Sequence, residues 1–226
     1  MIELQLHGAL LLIVWGMVVA LDLVSVPQGL LSRPLVAGTV AGWIAGDLEA
    51  GLRMGVLFEC FALDVLPIGA VRYPDYGPAT VVAAALAAHA PWEFGLGVSA
   101  LLGLVLSVIG GWSLQFVRRW NARAIQRRAA ALAAGGSSAI RRLQYGGLLR
   151  DALRGAVLTV VGLAAAWLIA RVMPTARQTA VGLSLVAVGG ALAAAISGAV
   201  RSAGRGARLR WLIGGAAVGV LLAVLT

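Results

Sequence analysis

Residues 32–78 read SRPLVAGTVAGWIAGDLEAGLRMGVLFECFALDVLPIGAVRYPDYGP, an apolar segment that nevertheless carries five carboxylates. Glycine interrupts its apolar runs, which are shorter than the about 20 residues that a membrane-spanning helix needs. Broken helices and re-entrant hairpins occur at membrane depth only where they lie buried in protein or line a cavity. Because carboxylates at that depth usually mark a substrate or ion path, this segment predicts a polar solute site inside a membrane protein.

The whole chain has the composition of an integral membrane protein. Of its 226 residues, 61% are hydrophobic and only 12% are charged, and the mean hydropathy is +0.94. A soluble domain carries about 25% charged residues. The length allows roughly six to eight spanning or half-spanning elements. We therefore predict an all-α polytopic bundle that forms a single membrane domain over residues 1–226, with broken or re-entrant helices in its N-terminal half.

The N-terminal part of this domain, residues 1–93, is expected to hold the substrate site. The first apolar run is expected to be a retained spanning helix, because the positively charged start of a signal peptide is missing. Pro27 lacks an amide proton and disfavours helix in the residue before it. The first helix should therefore break or kink there and bring Asp22, Ser25 and Gln28 near one another. These residues could line the site or form a simple loop at the membrane face. Pro67 and Gly69 predict a hairpin tip further along the chain.

The C-terminal part, residues 94–226, is expected to consist of full spans. The first runs from Phe94 to Val117 without a charge, and the last from Trp211 to Thr226. Between the first and second spans, arginines cluster at about residues 118–154. We interpret this segment as a solvated cytoplasmic loop under the positive-inside rule, with an amphipathic surface helix as the alternative.

Charge and motifs exclude several functions. The net charge is +9 and the basic residues are all arginine. Their place in short loops between apolar runs indicates membrane orientation rather than nucleic-acid binding. Without lysine the chain cannot form a phosphate-binding loop, and His7 and His89 have no partner at metal-ligand spacing. We predict neither a catalytic residue, a metal nor a cofactor, and Cys60 has no partner for an internal disulfide.

The acidic residues are distributed unevenly. Six of the nine lie between Asp22 and Asp75. Carboxylates at membrane depth can bind a cation, relay a proton, pair with arginine or accept hydrogen bonds from sugar hydroxyls. Glu59 lies in the middle of an apolar run, where neither a cap nor a turn explains it, so we assign it to the site. Asp64 lies nearer a turn and fits either role.

Structural explanations remain open for the other acids. Asp47 follows Gly46 and can cap the next helix. Glu49 and Arg53 are four residues apart and can pair on one helix face. Asp75 follows a proline and can be a turn residue. The predicted substrate-binding set consists of Glu59, Gln28, Asp64, Asp22 and Asp75.

The segment from Arg33 to Asp75 resembles the IIC component of the mannose/sorbose-family phosphotransferase system. The resemblance rests on the R-P-L start, the G-D pair, the G-x-x-x-G spacing, the L-F-E-C-F run and the I-G-A to P-D ending. By position, Glu59 falls on the family's motif glutamate, Asp47 on the G-D aspartate and Asp75 on the P-D aspartate. The segment VPQGLLSRP departs from the family, which is more polar there, and Asp64 stands where glycine is common.

The resemblance implies a multi-pass protein of the bacterial inner membrane that works in an oligomeric complex with a membrane IID subunit. Together they would bind a hexose-type sugar and move it inward, while cytoplasmic IIA and IIB subunits pass phosphate to it from phosphoenolpyruvate. The chain itself would be a transport subunit rather than an enzyme. Two alternatives remain from the residues alone. One is an ion- or proton-coupled transporter or channel, and the other is a non-transporting regulatory scaffold that docks soluble partners through its basic loops.

Overall fold

The computed structural model describes residues 6–65, 72–90, 92–172 and 177–202, together with the isolated positions 206, 210 and 214. All regular structure in these ranges is α-helical, as predicted. The helices are α1 (Leu6–Val24), α2 (Pro34–Ala45), α3 (Leu48–Ala62), α4 (Tyr76–His89), α5 (Trp92–Gln126), α6 (Ala129–Ala133), α7 (Ser137–Val172) and α8 (Arg177–Ser202). The expected hairpin tip at Pro67 and Gly69 lies outside the described residues, as does the expected last span apart from Gly214.

Helices of two lengths build the membrane bundle. Four of those described, α1, α5, α7 and α8, are long and apolar enough to cross a membrane. Helices α2, α3 and α4 have 12, 15 and 14 residues. At 1.5 Å per residue they reach only about 18–23 Å, which is less than the roughly 30 Å of a bilayer core. The prediction of short, broken helices in the N-terminal half is thus confirmed.

Glycines pack α2 against α3. A Cβ atom at Gly42 would lie 2.5 Å from the Cα atom of Gly51, and one at Gly38 would lie 2.9 Å from the Cα atom of Gly55. The two backbones therefore touch, as small residues spaced four apart allow in lipid. Gly46 turns the chain between the helices with φ +88, a left-handed conformation that suits glycine. The α2–α3 hairpin is therefore packed as one unit.

Helix α4 lies in the centre of the bundle and is buried from Gly77 to Leu86. Leu12 of α1, Met54 and Phe58 of α3, and Val81 of α4 belong to one hydrophobic core. Because α4 is surrounded by protein, a helix too short to span the bilayer can keep its ends away from lipid.

The break after α1 is confirmed, since the helix ends at Val24, before Pro27. In the α1–α2 connection, which comprises residues 25–33, Gln28 and Leu30 have left-handed backbones with φ 58 and φ 66. These two residues turn the chain sharply enough to bring the polar atoms of the connection back onto the end of α1.

The prediction of a basic loop over residues 118–154 is wrong. Helix α5 continues to Gln126 and α7 already begins at Ser137, so only residues 127–136 connect them, and part of these form α6. Arginine and alanine are strong helix formers. The arginines therefore do not end either helix. Under the positive-inside rule, they mark where the bundle leaves the hydrocarbon layer.

We predict that the close packing of α2 on α3 makes even a methyl group destabilising there. Gly42→Ala and Gly51→Ala should each cost about 1–3 kcal/mol, as overpacking usually does, and should lower the melting temperature of the detergent-purified protein by several degrees. Gly189→Ala is the matched control, because a Cβ atom at Gly189 has nothing within 4 Å. Equal melting temperatures for all four proteins would show that the hairpin backbones are not in contact.

Candidate solute site

The carboxylate of Asp22 organises the α1–α2 connection. It lies in the last turn of α1 with only 2% of the residue exposed. Oδ1 accepts a hydrogen bond from the Gly29 amide at 2.5 Å, and Oδ2 accepts one from the Ser32 amide at 2.8 Å. Both oxygens are engaged by backbone donors. Asp22 is therefore a positioning residue that folds the connection around itself.

Glu59 joins α3 to the start of α2. Its Oε1 accepts a hydrogen bond from Nη2 of Arg33, and its Oε2 accepts one from the Leu35 amide at 3.1 Å. The Leu35 amide belongs to the first turn of α2, where free amides and the helix dipole favour a negative charge. The Glu59 side chain is 21% exposed and that of Arg33 is 42% exposed. This pair is held within the protein and still presents polar atoms outward.

The other two residues predicted near Glu59 lie on connections. Gln28 is exposed on the α1–α2 connection. Asp64 follows α3 in a half-buried turn. The Tyr76 ring stacks on Phe61 with ring centroids 6.4 Å apart and lies 6.0 Å from the ring of Phe58. An aromatic cluster thus adjoins the ends of α3 and α4.

Asp75 belongs to a buried triad with Arg154 and Asp151. Nη1 of Arg154 donates to Oδ2 of Asp75 at 2.5 Å, and its Nε donates to Oδ1 of Asp151 at 2.9 Å. The Ser25 hydroxyl donates to the other Asp151 oxygen at 3.0 Å, and the Asp75 amide donates to the Ser107 carbonyl at 2.8 Å. These contacts tie together the end of α1, the start of α4, and helices α5 and α7.

The triad is deeply buried, since the Arg154 and Asp75 side chains are 4% and 0% exposed. Breaking such a pair leaves an uncompensated buried charge, which usually costs about 3–5 kcal/mol. Asp75 begins α4 but makes no side-chain cap. Its role is therefore an ion pair rather than the turn that its neighbouring proline suggested.

Sequence reasoning missed Arg154 and Asp151, which it assigned to a solvated loop. One signal for them was available. They are three residues apart, and Asp151 is the only carboxylate after Glu93. An acidic and a basic residue at helical spacing, followed at once by an uncharged run, indicate a buried pair at the edge of a span.

The remaining predicted acids have the structural roles considered above. Oδ1 of Asp47 accepts the Ala50 amide at 2.9 Å and caps α3. Glu49 pairs with Arg53 one turn later. Asp47, Glu49 and Arg53 border a cavity of about 390 Å³ between α3 and the facing ends of α4 and α5. This cavity lies at the end of the bundle opposite the arginine-rich tip, where α5 ends and α7 begins.

Two groups of polar residues follow from this geometry. Asp22 and the Asp75–Arg154–Asp151 triad are buried and engaged, so they hold the ends of the short helices in place. Glu59, Arg33, Gln28 and Asp64 are at least partly accessible and offer both donors and acceptors. Within the described ranges, no group of three or more His, Cys, Asp or Glu side chains is arranged to hold a metal ion.

Four long apolar helices around three shorter ones, with polar groups gathered at the helix ends, define a multi-pass membrane protein of the transporter class. Residues 6–200 match the family of the sorbose-specific IIC component of the phosphotransferase system. The chain belongs to this family of bacterial inner-membrane permeases, as its resemblance predicted.

Named relatives come from several bacteria. The chain is 29% identical to the fructose permease IIC component of Bacillus subtilis (strain 168), over 59% of this chain and 49% of the relative. It is 36% identical to the sorbose-specific EIIC component of Klebsiella pneumoniae, over 34% of this chain and 30% of the relative. It is 29% identical to the mannose-specific EIIC component of Escherichia coli (strain K12), over 57% of this chain and 48% of the relative. The matches thus span about half the length of these relatives or less.

Solved structures share the fold. A chain of the cryo-EM structure of the mannose transporter ManYZ in complex with microcin E492 superposes with a TM-score of 0.62 at 21% identity, over 100% of this chain and 89% of that chain. A second chain, described as a membrane protein, gives a TM-score of 0.71 at 19% identity, over 99% and 96% of the two chains. This chain therefore shares the fold of these two membrane proteins.

We predict that the buried triad is essential for stability. Arg154→Gln leaves Asp75 and Asp151 buried without their cation and should lower the free energy of unfolding by about 3–5 kcal/mol. Arg150→Gln, one turn earlier, is the matched control. In the part of the chain that the structure describes, its half-buried guanidinium donates hydrogen bonds to Gly146 and Asn121 and forms no ion pair. The substitution should therefore cost about 1 kcal/mol. Unfolding in sodium dodecyl sulfate measures the free energy of unfolding of both variants. Equal decreases in the two variants would contradict a special role for Arg154.

Proposed function

We propose that this chain is the sugar-translocating subunit of a phosphoenolpyruvate-dependent phosphotransferase complex and that it binds a hexose-type sugar at the Glu59–Arg33 pair. One observation carries the proposal: an accessible carboxylate at the end of a helix too short to span the bilayer, held against the first turn of a second short helix. Carboxylates at such a place usually serve a solute.

The chemistry of the surrounding residues suits a sugar. Sugar hydroxyls donate hydrogen bonds to Glu59 and Asp64, and they accept hydrogen bonds from the Arg33 guanidinium and the Gln28 amide. The nearby rings of Phe61 and Tyr76 provide an apolar surface for the C–H face of a pyranose. Small-molecule sites commonly combine a few placed polar groups with aromatic lining. The named relatives are permease components for fructose, sorbose and mannose, which favours a hexose here as well.

Translocation would use the α2–α3 hairpin as the moving unit. Its glycine contacts keep the two helices together, while the α1–α2 connection supplies a short link at one end. The buried triad would keep α4 fixed to α7 as part of the scaffold. The hairpin would alternate between two positions during transport. Sugar binding that replaces part of the Glu59–Arg33 contact would favour one of these positions over the other, as a solute-driven change of state requires.

The partners of this subunit would supply the phosphoryl transfer. A membrane IID subunit would complete the sugar path, and cytoplasmic IIA and IIB subunits would deliver phosphate to the sugar as it arrives. The arginine-rich tip of α5 and α7 faces the cytoplasm under the positive-inside rule. Incoming sugar would therefore meet the phosphorylating subunit on the side to which this tip points.

The buried triad supports a second candidate function, ion- or proton-coupled transport. It holds two carboxylates for one guanidinium, and Oδ1 of Asp75 and Nη2 of Arg154 have no hydrogen-bond partner among the described residues. An excess buried carboxylate can carry a proton. Uptake that follows the membrane potential and continues without phosphoenolpyruvate would favour this second function over the first.

We predict that Glu59→Gln lowers phosphoenolpyruvate-dependent hexose uptake by about ten- to a hundredfold, because hydrogen bonds to a charged group contribute about 1.5–3 kcal/mol. Membrane vesicles that contain all partner subunits and radiolabelled mannose, fructose or sorbose give the measurement. The variant should still insert, since the amide of glutamine keeps one acceptor for the Leu35 amide.

Glu49→Gln is the matched control on the same helix. Glu49 pairs with Arg53 beside the cavity at the opposite end of α3, so uptake should stay within about twofold of wild type, as expected for an exposed pair. Loss of uptake in Glu49→Gln together with normal uptake in Glu59→Gln would move the sugar site to that cavity and overturn the assignment of Glu59.

A further inference from the structure

The outer faces of α5 and α7 enclose a long apolar groove of about 370 Å³. Ile109 and Val161 lie at its deep end, and Trp120 and Arg150 lie at its cytoplasmic end. Val157 lines its middle and is 60% exposed. The Arg150 guanidinium lies 5.7 Å from the centre of the Trp120 ring. Ser113 and the buried Arg154 also line the groove, so its accessible charge lies at the Arg150 end.

A second cavity, of about 290 Å³, continues from that end. It shares Phe116 and Trp120 with the groove and is otherwise lined by Arg119, Arg123 and Arg127. These arginines follow one another at intervals of four residues, so they lie on the same side of the chain. All three are exposed, and none of them pairs with a carboxylate in the part of the chain that the structure describes.

The dimensions of the groove match one leaflet of a bilayer. From Ile109 to Trp120 the helix rises about 16 Å at 1.5 Å per residue. Half of a hydrocarbon core is about 15 Å. Trp120 and Phe116 would then lie at the headgroup level, where tryptophan is enriched, and the three arginines would lie just beyond it, on the cytoplasmic side.

We propose that the groove and the arginine cavity together bind one anionic phospholipid of the cytoplasmic leaflet. One acyl chain lies along the groove from Trp120 to Ile109. The headgroup phosphate lies among Arg119, Arg123 and Arg127, where three positive charges favour a lipid with net negative charge over a zwitterionic one. The lipid covers the seam between α5 and α7 and neutralises the arginines of α5.

Charge argues against other occupants. An apolar helix of a partner subunit would leave three arginines without an anion. An acidic soluble peptide would satisfy the arginines but would not enter the part of the groove that lies at hydrocarbon depth. A lipid has both the apolar chain and the anionic head that the two cavities require.

Native mass spectrometry of the purified full chain tests the proposal, with dioleoylphosphatidylglycerol and dioleoylphosphatidylcholine as probes. The anionic lipid should bind at least about tenfold more tightly than the zwitterionic one. Arg119→Gln/Arg123→Gln should abolish that preference. The matched control Arg141→Gln/Arg142→Gln removes the same charge from exposed positions of α7 outside both cavities, and it should keep the preference.

A second pair of variants tests the groove separately from the charge. Val157→Trp and Val161→Trp fill the groove while every arginine remains, and each should weaken phosphatidylglycerol binding several-fold without lowering the melting temperature. The proposal is overturned by equal binding of the two lipids, by equal losses in the two double variants, or by undiminished binding in both tryptophan variants. A structure of the complex with a protein helix in the groove would overturn it as well.

Discussion

The ion pair between Arg154 and Asp75 is the contact on which the arrangement of the short helices depends. Asp75 begins α4, which cannot span the bilayer by itself, and Arg154 belongs to α7, which can. Their side chains are almost fully buried, so separating them would leave charge inside the bundle. Through Asp151 and Ser25 the same guanidinium also fixes the end of α1. A helix that lipid could not accommodate is thereby held in place by a neighbour that crosses the membrane.

Burial divides the polar residues of the membrane domain by role. Asp22 and Asp151 have both carboxylate oxygens occupied by backbone amides, a hydroxyl or a guanidinium, whereas Asp75 has one oxygen bonded to Arg154. These buried groups set the positions of the helix ends. Glu59 and Arg33 remain partly accessible. Glycine contacts hold α2 and α3 together as one packed hairpin, which the proposed translocation uses as its moving unit. The α5–α7 seam adds the apolar groove and the arginine cavity of the proposed lipid site.

Local patterns in the sequence were sufficient for much of this structure. The apolar runs interrupted by glycine predicted short helices, Asp47 offered a cap for the helix that follows it, and Pro27 predicted the end of α1. Each of these depends on residues within about one or two helical turns. Glu59 was recognised because no local role explained it, but its partner Arg33 lies 26 residues away. Arg154 was missed because its partner Asp75 lies 79 residues away and because a run of arginines does not show where a helix leaves the membrane.

A double-mutant cycle between Asp75 and Arg154 tests the central claim most directly. The free energies of unfolding of wild type, Asp75→Asn, Arg154→Gln and the double variant give the coupling energy between the two side chains. A buried, directly bonded pair predicts a coupling of about 2 kcal/mol or more, so the double variant should be far more stable than the sum of the single losses implies. Additive losses, with a coupling within about 0.5 kcal/mol of zero, would contradict the role of this ion pair in holding α4 to α7.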